Sequence, residues 1–188
     1  MRYFAVAFLA LCVVGCASDP ARRAAVAEQA VEGLLPPLKP LSEFSEYELK
    51  PIAMSTGVKA DDAKVAVAQE LGAKLHARIT PLLEKWRASK GQPTQSGVLL
   101  IEPKVQELRV ISGGARFFLG YFMGESFIAL DVKLTDSATG QVIANPRVRR
   151  SADAFGGTWS IGATDRNLLD YITDIAHRYL EVNHTFIR

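Results

Sequence analysis

Phe127-Ile128-Ala129-Leu130-Asp131-Val132-Lys133-Leu134-Thr135-Asp136-Ser137-Ala138-Thr139-Gly140 is the stretch on which the fold turns. Ile128, Leu130, Val132 and Leu134 alternate with Phe127, Ala129, Asp131 and Lys133, so a strand here has one apolar face and one mixed face. Asp136 can bond backbone amides and Gly140 can take a positive φ, which gives 136–140 the chemistry of a tight hairpin. Gln141 to Arg150 is then the returning strand of an antiparallel pair.

Working outward from the hairpin, the amino-terminal flank supplies a continuous apolar run, Val98-Leu99-Leu100-Ile101, and then Val105, Leu108 and Val110. This reads as two strands, or as one with a break at Pro103. A polar loop, 90–97, precedes it. Before that loop, Val65, Ala68, Leu71, Leu75, Ile79, Leu82, Leu83 and Trp86 keep helical spacing to about Ser89, with Asp61 as the N-cap. Pro81 lacks an amide hydrogen, so a kink or a restart capped by Thr80 is expected. Phe44 to Ile52 has the two-residue rhythm of a half-buried strand, with Pro51 marking its end or an edge. On the other flank Thr164 can cap a closing helix with an apolar stripe of Leu168, Ile172, Ile175 and Tyr179. The order of strand, long helix, several strands and helix predicts an α+β domain, with two helices packed on one face of a mainly antiparallel sheet.

Ahead of the domain, Ala27, Ala30, Val31, Leu34 and Leu35 recur on one helical face, and Pro36, Pro37 and Pro40 then favour an extended spacer. This short amphipathic helix either packs on its own domain or offers a docking surface. From Cys16 to Ser42 such a tether can reach tens of ångströms, at roughly 3.3–3.6 Å per extended residue.

Bulk properties restrict the class. A length of 188 residues with 48% hydrophobic and 22% charged residues fits one globular domain with extensions. The net charge of +2 is spread along the chain, so no basic block points to nucleic acid. At the amino terminus Met1 and Arg2 precede an uncharged run from Tyr3 to Val14 that ends at Gly15-Cys16, the plan of a signal peptide. About a dozen apolar residues fall short of the roughly 20 that a membrane-crossing helix needs.

Val13-Val14-Gly15-Cys16 resembles the bacterial lipobox, in which small residues precede a cysteine that is acylated and becomes the first residue of the mature protein. The resemblance implies a palmitate-bearing Cys16. Ala17-Ser18, with no Asp after the cysteine, is similar to the pattern of lipoproteins sorted to the periplasmic face of the outer membrane. Several acyl chains on one residue hold a protein firmly, since each buried methylene contributes about 0.8 kcal/mol. The domain division that follows is a signal peptide at 1–15, a lipidated anchor and tether at 16–42, and an α+β periplasmic domain at 43–188. Cys12 is the only other cysteine and lies in the segment to be removed, which excludes a disulfide, a cysteine nucleophile or a CxxC zinc cluster from the mature chain.

The body from Tyr47 to Tyr179, with Val132-Lys133-Leu134-Thr135-Asp136 and the Thr139-Gly140 turn, resembles uncharacterised envelope lipoprotein domains. These are similar in plan to the TolB amino-terminal domain and the curli-secretion lipoprotein. The resemblance concerns fold, and it implies no activity.

Among candidate sites, the glycine-rich stretch 112–124 gathers Arg116, Phe117, Phe118, Tyr121 and Phe122, and reads either as an interaction loop or as a hairpin folded onto the core. It lacks GxxxxGK[ST] and GxGxxG, so it is no phosphate cradle. Phe155-Gly156-Gly157-Thr158-Trp159 reads as a turn before the last helix. Asp170, Asp174 and His177 lie three to four positions apart on that helix; the spacing suits a metal, but a solvated polar face explains it as well. HExxH is absent. Ser126, Ser137, Ser151 and Ser160 stand in neither GxSxG nor SxxK. Asp61-Asp62 reads as helix capping, and Arg147-Arg149-Arg150 as a charged edge that blunts aggregation. The expectation is a non-enzymatic adapter or assembly factor without cofactor or metal. It would be held to membrane lipid through Cys16 and act on an envelope protein partner. An oligomerising subunit of a secretion or transport assembly, a homo-oligomer, is the alternative, and a periplasmic small-ligand binder or enzyme a further one.

Overall fold

A computed structural model describes residues 20–59, 61–89, 97–109, 126–151 and 163–185. Helix α1 spans Pro20–Glu32, and a short 3-10 turn at Leu41–Glu43 leads into β1 (Glu46–Leu49) and β2 (Ala53–Met54). Helix α2 (Asp62–Ala88) is followed by β3 (Val98–Arg109), β4 (Phe127–Asp136), β5 (Val142–Ala144), β6 (Arg147–Ser151) and helix α3 (Ala163–Val182). The described strands form one six-stranded mixed sheet in which β3 and β4 are central. β4 pairs antiparallel with β3, β5 and β6, whereas β1 and β2 run parallel to β3. The α+β plan expected from the sequence is the plan observed.

The strand β4 splits its residues as its alternation requires. Ile128, Leu130, Val132 and Leu134 are buried in the core under the helices, together with Leu99, Ile101, Leu75, Ile79, Ile172 and Tyr179. On the opposite face ion pairs cross the strands. Lys133 reaches Glu102 at 2.9 Å and Arg147 reaches Asp131 at 2.6 Å. The carboxyl of Glu102 is accordingly held below its ordinary range, first by Lys133. At the hairpin, Asp136 accepts from the Ala138 amide at 2.9 Å and from Lys39 at 2.9 Å, and Gly140 has a φ of 71°.

Two prolines behave differently from expectation. β3 is a single strand through Pro103, paired with β4 from Leu99 to Arg109. The Val132 amide bonds the Pro146 carbonyl, so Val132 and Pro103 form a non-hydrogen-bonded pair. The missing amide of Pro103 therefore points at the interval between β1 and β2, where no ladder bond is required. α2 likewise runs unbroken through Pro81, so no restart occurs and Thr80 caps nothing; its hydroxyl lies 3.4 Å from His76. Pro81 and Ala77 are both exposed, so the carbonyl that loses its amide partner is open to water. At its start α2 follows the sequence reading: the Asp61 side chain accepts from the Lys64 amide at 2.9 Å.

Prolines also interrupt both edges of the sheet. Lys50-Pro51-Ile52 separates β1 from β2, and Asn145-Pro146 divides the expected returning strand into β5 and β6. Opposite the first break, α2 comes very close to the chain. A Cβ at Gly72 would stand 2.6 Å from Ile52 Cγ2, so only glycine permits this approach.

All three helices run in one direction. Lys74 and Arg78 of α2 meet Asp170 and Asp174 of α3, Trp86 meets His184, and Arg23 and Glu28 of α1 meet Asp170 and Arg178. β3 runs the other way, since Tyr47 in its parallel neighbour β1 lies against Trp86 near the end of α2. One pole of the domain thus collects the starts of α2, α3 and β4 and the ends of β3 and β6, whereas α1 begins beside Lys74 and Asp170, partway along both other helices. α3 begins at Ala163, which puts Thr164 inside its first turn instead of before it.

Candidate functional site

α1 lies along α3. Ala27 is buried and Ala30, Val31 and Leu34 pack against the core, which is the helical face read from the sequence less its last member. The helix ends at Glu32, so Leu35 leaves that face and is 86% exposed. The proline segment does not stand off as a free spacer. Tyr179 donates to the Leu35 carbonyl at 2.8 Å, the Leu38 amide to Ile143 at 2.9 Å, and the Leu41 and Ser42 amides to Asn183 and His184. Backbone groups that a fully extended tether would leave to water are satisfied here by the domain.

Between α1, α2 and α3 opens a cleft of about 670 Å³ in which charged side chains from all three helices meet over a floor that includes Ala24, Ala27 and Ala77. Arg23 lies 3.4 Å from Asp170 and 3.1 Å from Asp174. Lys74 approaches Asp170 at 2.7 Å, and Arg78 approaches Asp174 at 3.5 Å. At the lower end Arg178 holds Glu28 through two bonds of 2.5 and 3.1 Å and Glu181 at 2.8 Å. Two carboxylates of α3 are thereby shared among cations of α1 and α2, a network that positions three helices at once. Arg178 keeps the Glu28 carboxyl below its ordinary range, and the two carboxylates raise Arg178 in turn.

His177 also lines the cleft. Burial lowers its pKa first and the Arg78 charge adds to that, while Glu181 and Asp174 oppose them. Burial lowers His184 as well. Because the folded chain binds these protons less readily than the unfolded chain, stability is full above the ordinary histidine value and falls as pH drops through it. Thermal melts at pH 7.5, 6.5 and 5.5 should show a falling Tm, and His177→Gln should flatten that slope. An unaltered slope in the variant would remove His177 from the cause.

The ion pairs joining α1 to α3 are partly exposed, where each pair is worth little and salt screens it. Arg23→Ala with Arg178→Ala should therefore raise amide exchange in residues 20–32 by roughly threefold to tenfold, and leave that of β3 and β4 unchanged. Hydrogen exchange read by mass spectrometry checks this. Equal acceleration in the strands would mean that the pairs support the whole fold.

Asp170, Asp174 and His177 do share one side of α3, as their spacing requires. That side faces the cations of two neighbouring helices, so it is no freely solvated face. Among the described residues no three His, Cys, Asp or Glu side chains gather as a metal site requires. The sequence reading did not connect Arg23, Glu28, Lys74, Arg78 and Arg178 with this place; opposite charges on separate amphipathic helices were the only signal. Of the serines, Ser126 is buried and Ser137 accepts from the Val98 amide at 3.0 Å. Arg147 is engaged by Asp131, and Arg149 lies over the Phe127 ring at 5.0 Å. Cys16, the loop residues Arg116, Phe117, Phe118, Tyr121 and Phe122, and the 155–159 turn fall outside the described residues. No helix among the described residues is long and apolar enough to cross a membrane.

Fold and cleft define a mixed-sheet α+β domain with three parallel helices joined by ion pairs on one face. The chain belongs to the family described as a domain of unknown function, DUF4410, whose model matches residues 40–156. That span takes in the sheet and α2, so the α1 and α3 walls of the cleft lie outside it. No curated protein sequence matches the chain. Among solved structures it is similar to two crystal forms of the PelC dodecamer from Paraburkholderia phytofirmans. These have TM-scores of 0.40 and 0.39 at 14% and 15% identity, covering 75% and 77% of this chain and 90% and 92% of PelC. It is also similar to a Xanthomonas campestris protein of family DUF330, with a TM-score of 0.37 at 10% identity over 74% of this chain and 81% of that one.

Proposed function

We propose that the protein is an envelope lipoprotein, anchored through acylated Cys16 at the periplasmic face of the outer membrane, whose domain acts without catalysis as an adapter or assembly factor. The observation that carries the adapter part is the pairing in the cleft. Its cations and carboxylates neutralise one another across three helices, which suits a clamp that fixes a surface better than a centre that activates a substrate. The anchor part is supported by the lipobox-like Val13-Val14-Gly15-Cys16 and by the start of α1 only four residues after the cysteine.

Mass spectrometry of the native product tests the anchor: an acylated Cys16 at the amino terminus is expected, and Cys16→Ser should release the chain from envelope lipid. An unmodified start sinks this reading. Crosslinking in intact cells tests the adapter, with discrete species containing a second protein expected. A ladder of self-multiples would replace the adapter by a self-assembling subunit.

A further inference from the structure

We propose that α1 is a releasable strap: docked on α2 and α3 it holds the domain close to Cys16, and released it lets the domain stand several times farther away. The inference deepens the anchor reading and rests on it. Little apolar surface holds α1 in place. Only Ala27 of this helix is fully buried, with Ala30, Val31 and the following Leu34 partly so, whereas α2 and α3 bury Leu71, Leu75, Ile79, Leu168 and Ile172. At 13 residues α1 has a length at which an isolated helix is marginal in water, so once off the domain it becomes loose chain.

Charge supplies most of the docking. Arg23 reaches Asp170 and Asp174, and Arg178 holds Glu28, all in partly exposed pairs that salt screens. Release stays local on both sides. The Lys74–Asp170 and Arg78–Asp174 pairs join α2 to α3 without α1. Beyond the helix the chain is pinned, because the buried Tyr179 donates to the Leu35 carbonyl and the Leu38 amide donates to Ile143. The strap therefore pivots at Gly33-Leu34, and its two positions differ in reach. Docked, α1 begins beside Lys74 and Asp170, and the four residues from Cys16 to Pro20 span at most about 14 Å. Released, the chain from Cys16 to Leu35 spans up to roughly 60–70 Å. An adapter built this way rests near the bilayer and reaches a distant partner once the pairs joining α1 to α3 are broken.

Cys16 is the only cysteine of the chain from residue 16 onward, so that chain can be coupled at one point to maleimide lipid in phosphatidylcholine vesicles. Energy transfer from Trp86 and Trp159 to dansyl lipid then reads how far the domain stands from the surface. Strong transfer is expected at low salt. It should fall roughly twofold or more in Glu28→Arg, and likewise at about 1 M salt, where the screening length shrinks to about 3 Å. Adding Arg178→Glu to Glu28→Arg restores opposite charges and should return most of the transfer. Glu48→Arg, an equal change of charge at an exposed site on the sheet, should leave it unaltered. Transfer that ignores both salt and Glu28→Arg, a loss that Arg178→Glu fails to reverse, or an equal loss from Glu48→Arg overturns the strap. An unmodified Cys16 in the native product would overturn only the anchor, because the maleimide coupling does not depend on acylation.

Discussion

Trp86→Ala should lower the free energy of unfolding by about 3–5 kcal/mol, the largest loss expected from one substitution here. Trp86 is 5% exposed near the end of α2 and joins parts of the chain that are far apart in sequence. Its ring meets Tyr47 of β1 edge-on at 5.1 Å and stacks on His184 at 4.1 Å, beyond the end of α3. The His184 carbonyl accepts from the Ser42 amide, and the Tyr47 hydroxyl donates to Leu41, so the turn before β1 rests on the same cluster. Burial pushes the Tyr47 hydroxyl up to about 12, in keeping with a dry site. An alanine leaves a cavity between Tyr47 and His184 that neither ring can fill alone. For a domain of this size the melting temperature should fall by roughly 6–20 °C. Urea unfolding followed by circular dichroism measures it, and a loss below about 1 kcal/mol would show that the cluster closes around the gap.

Ile172→Ala should cost about 2–5 kcal/mol. Ile172 is fully buried midway along α3, between Leu168 and Tyr179 on the face that meets the sheet. Asp170 and Asp174 stand on either side of it along the chain and hold Arg23, Lys74 and Arg78. Loosening α3 therefore loosens both neighbours. Amides of α1 should exchange faster in this variant, whereas Ile172→Val, which keeps most of the volume, should cost about 0.5–1.5 kcal/mol and leave α1 docked. If Ile172→Ala destabilised the domain yet left α1 exchange unaltered, the cleft would owe its geometry to α2 alone.

The prolines show how far local reading extends. The missing amide hydrogens of Pro103 and Pro81 predict a break in the strand and a kink or restart in the helix, and both elements are continuous through them. That loss is harmless where no partner waits for the hydrogen, at the interval between β1 and β2 or on an exposed helix side. Only the positions of neighbouring strands and of water decide this. Leu35 shows the reverse case: it keeps helical spacing with Leu34, but the helix stops at Glu32 and the residue is left exposed.

The alternation of Ile128, Leu130, Val132 and Leu134, the Asp136 to Gly140 turn, the Asp61 cap and the stripe of α3 were all legible in the sequence, because each depends on residues a few positions apart. Those local periods determined the α+β class and most of the core. Tertiary structure alone decided that β1 and β2 pair parallel with β3, that all three helices point one way, and that Asp170 and Asp174 face Arg23, Lys74 and Arg78. These are meetings between residues up to about 150 positions apart. Their partners are selected by packing of whole elements, for which a one-dimensional pattern carries no term.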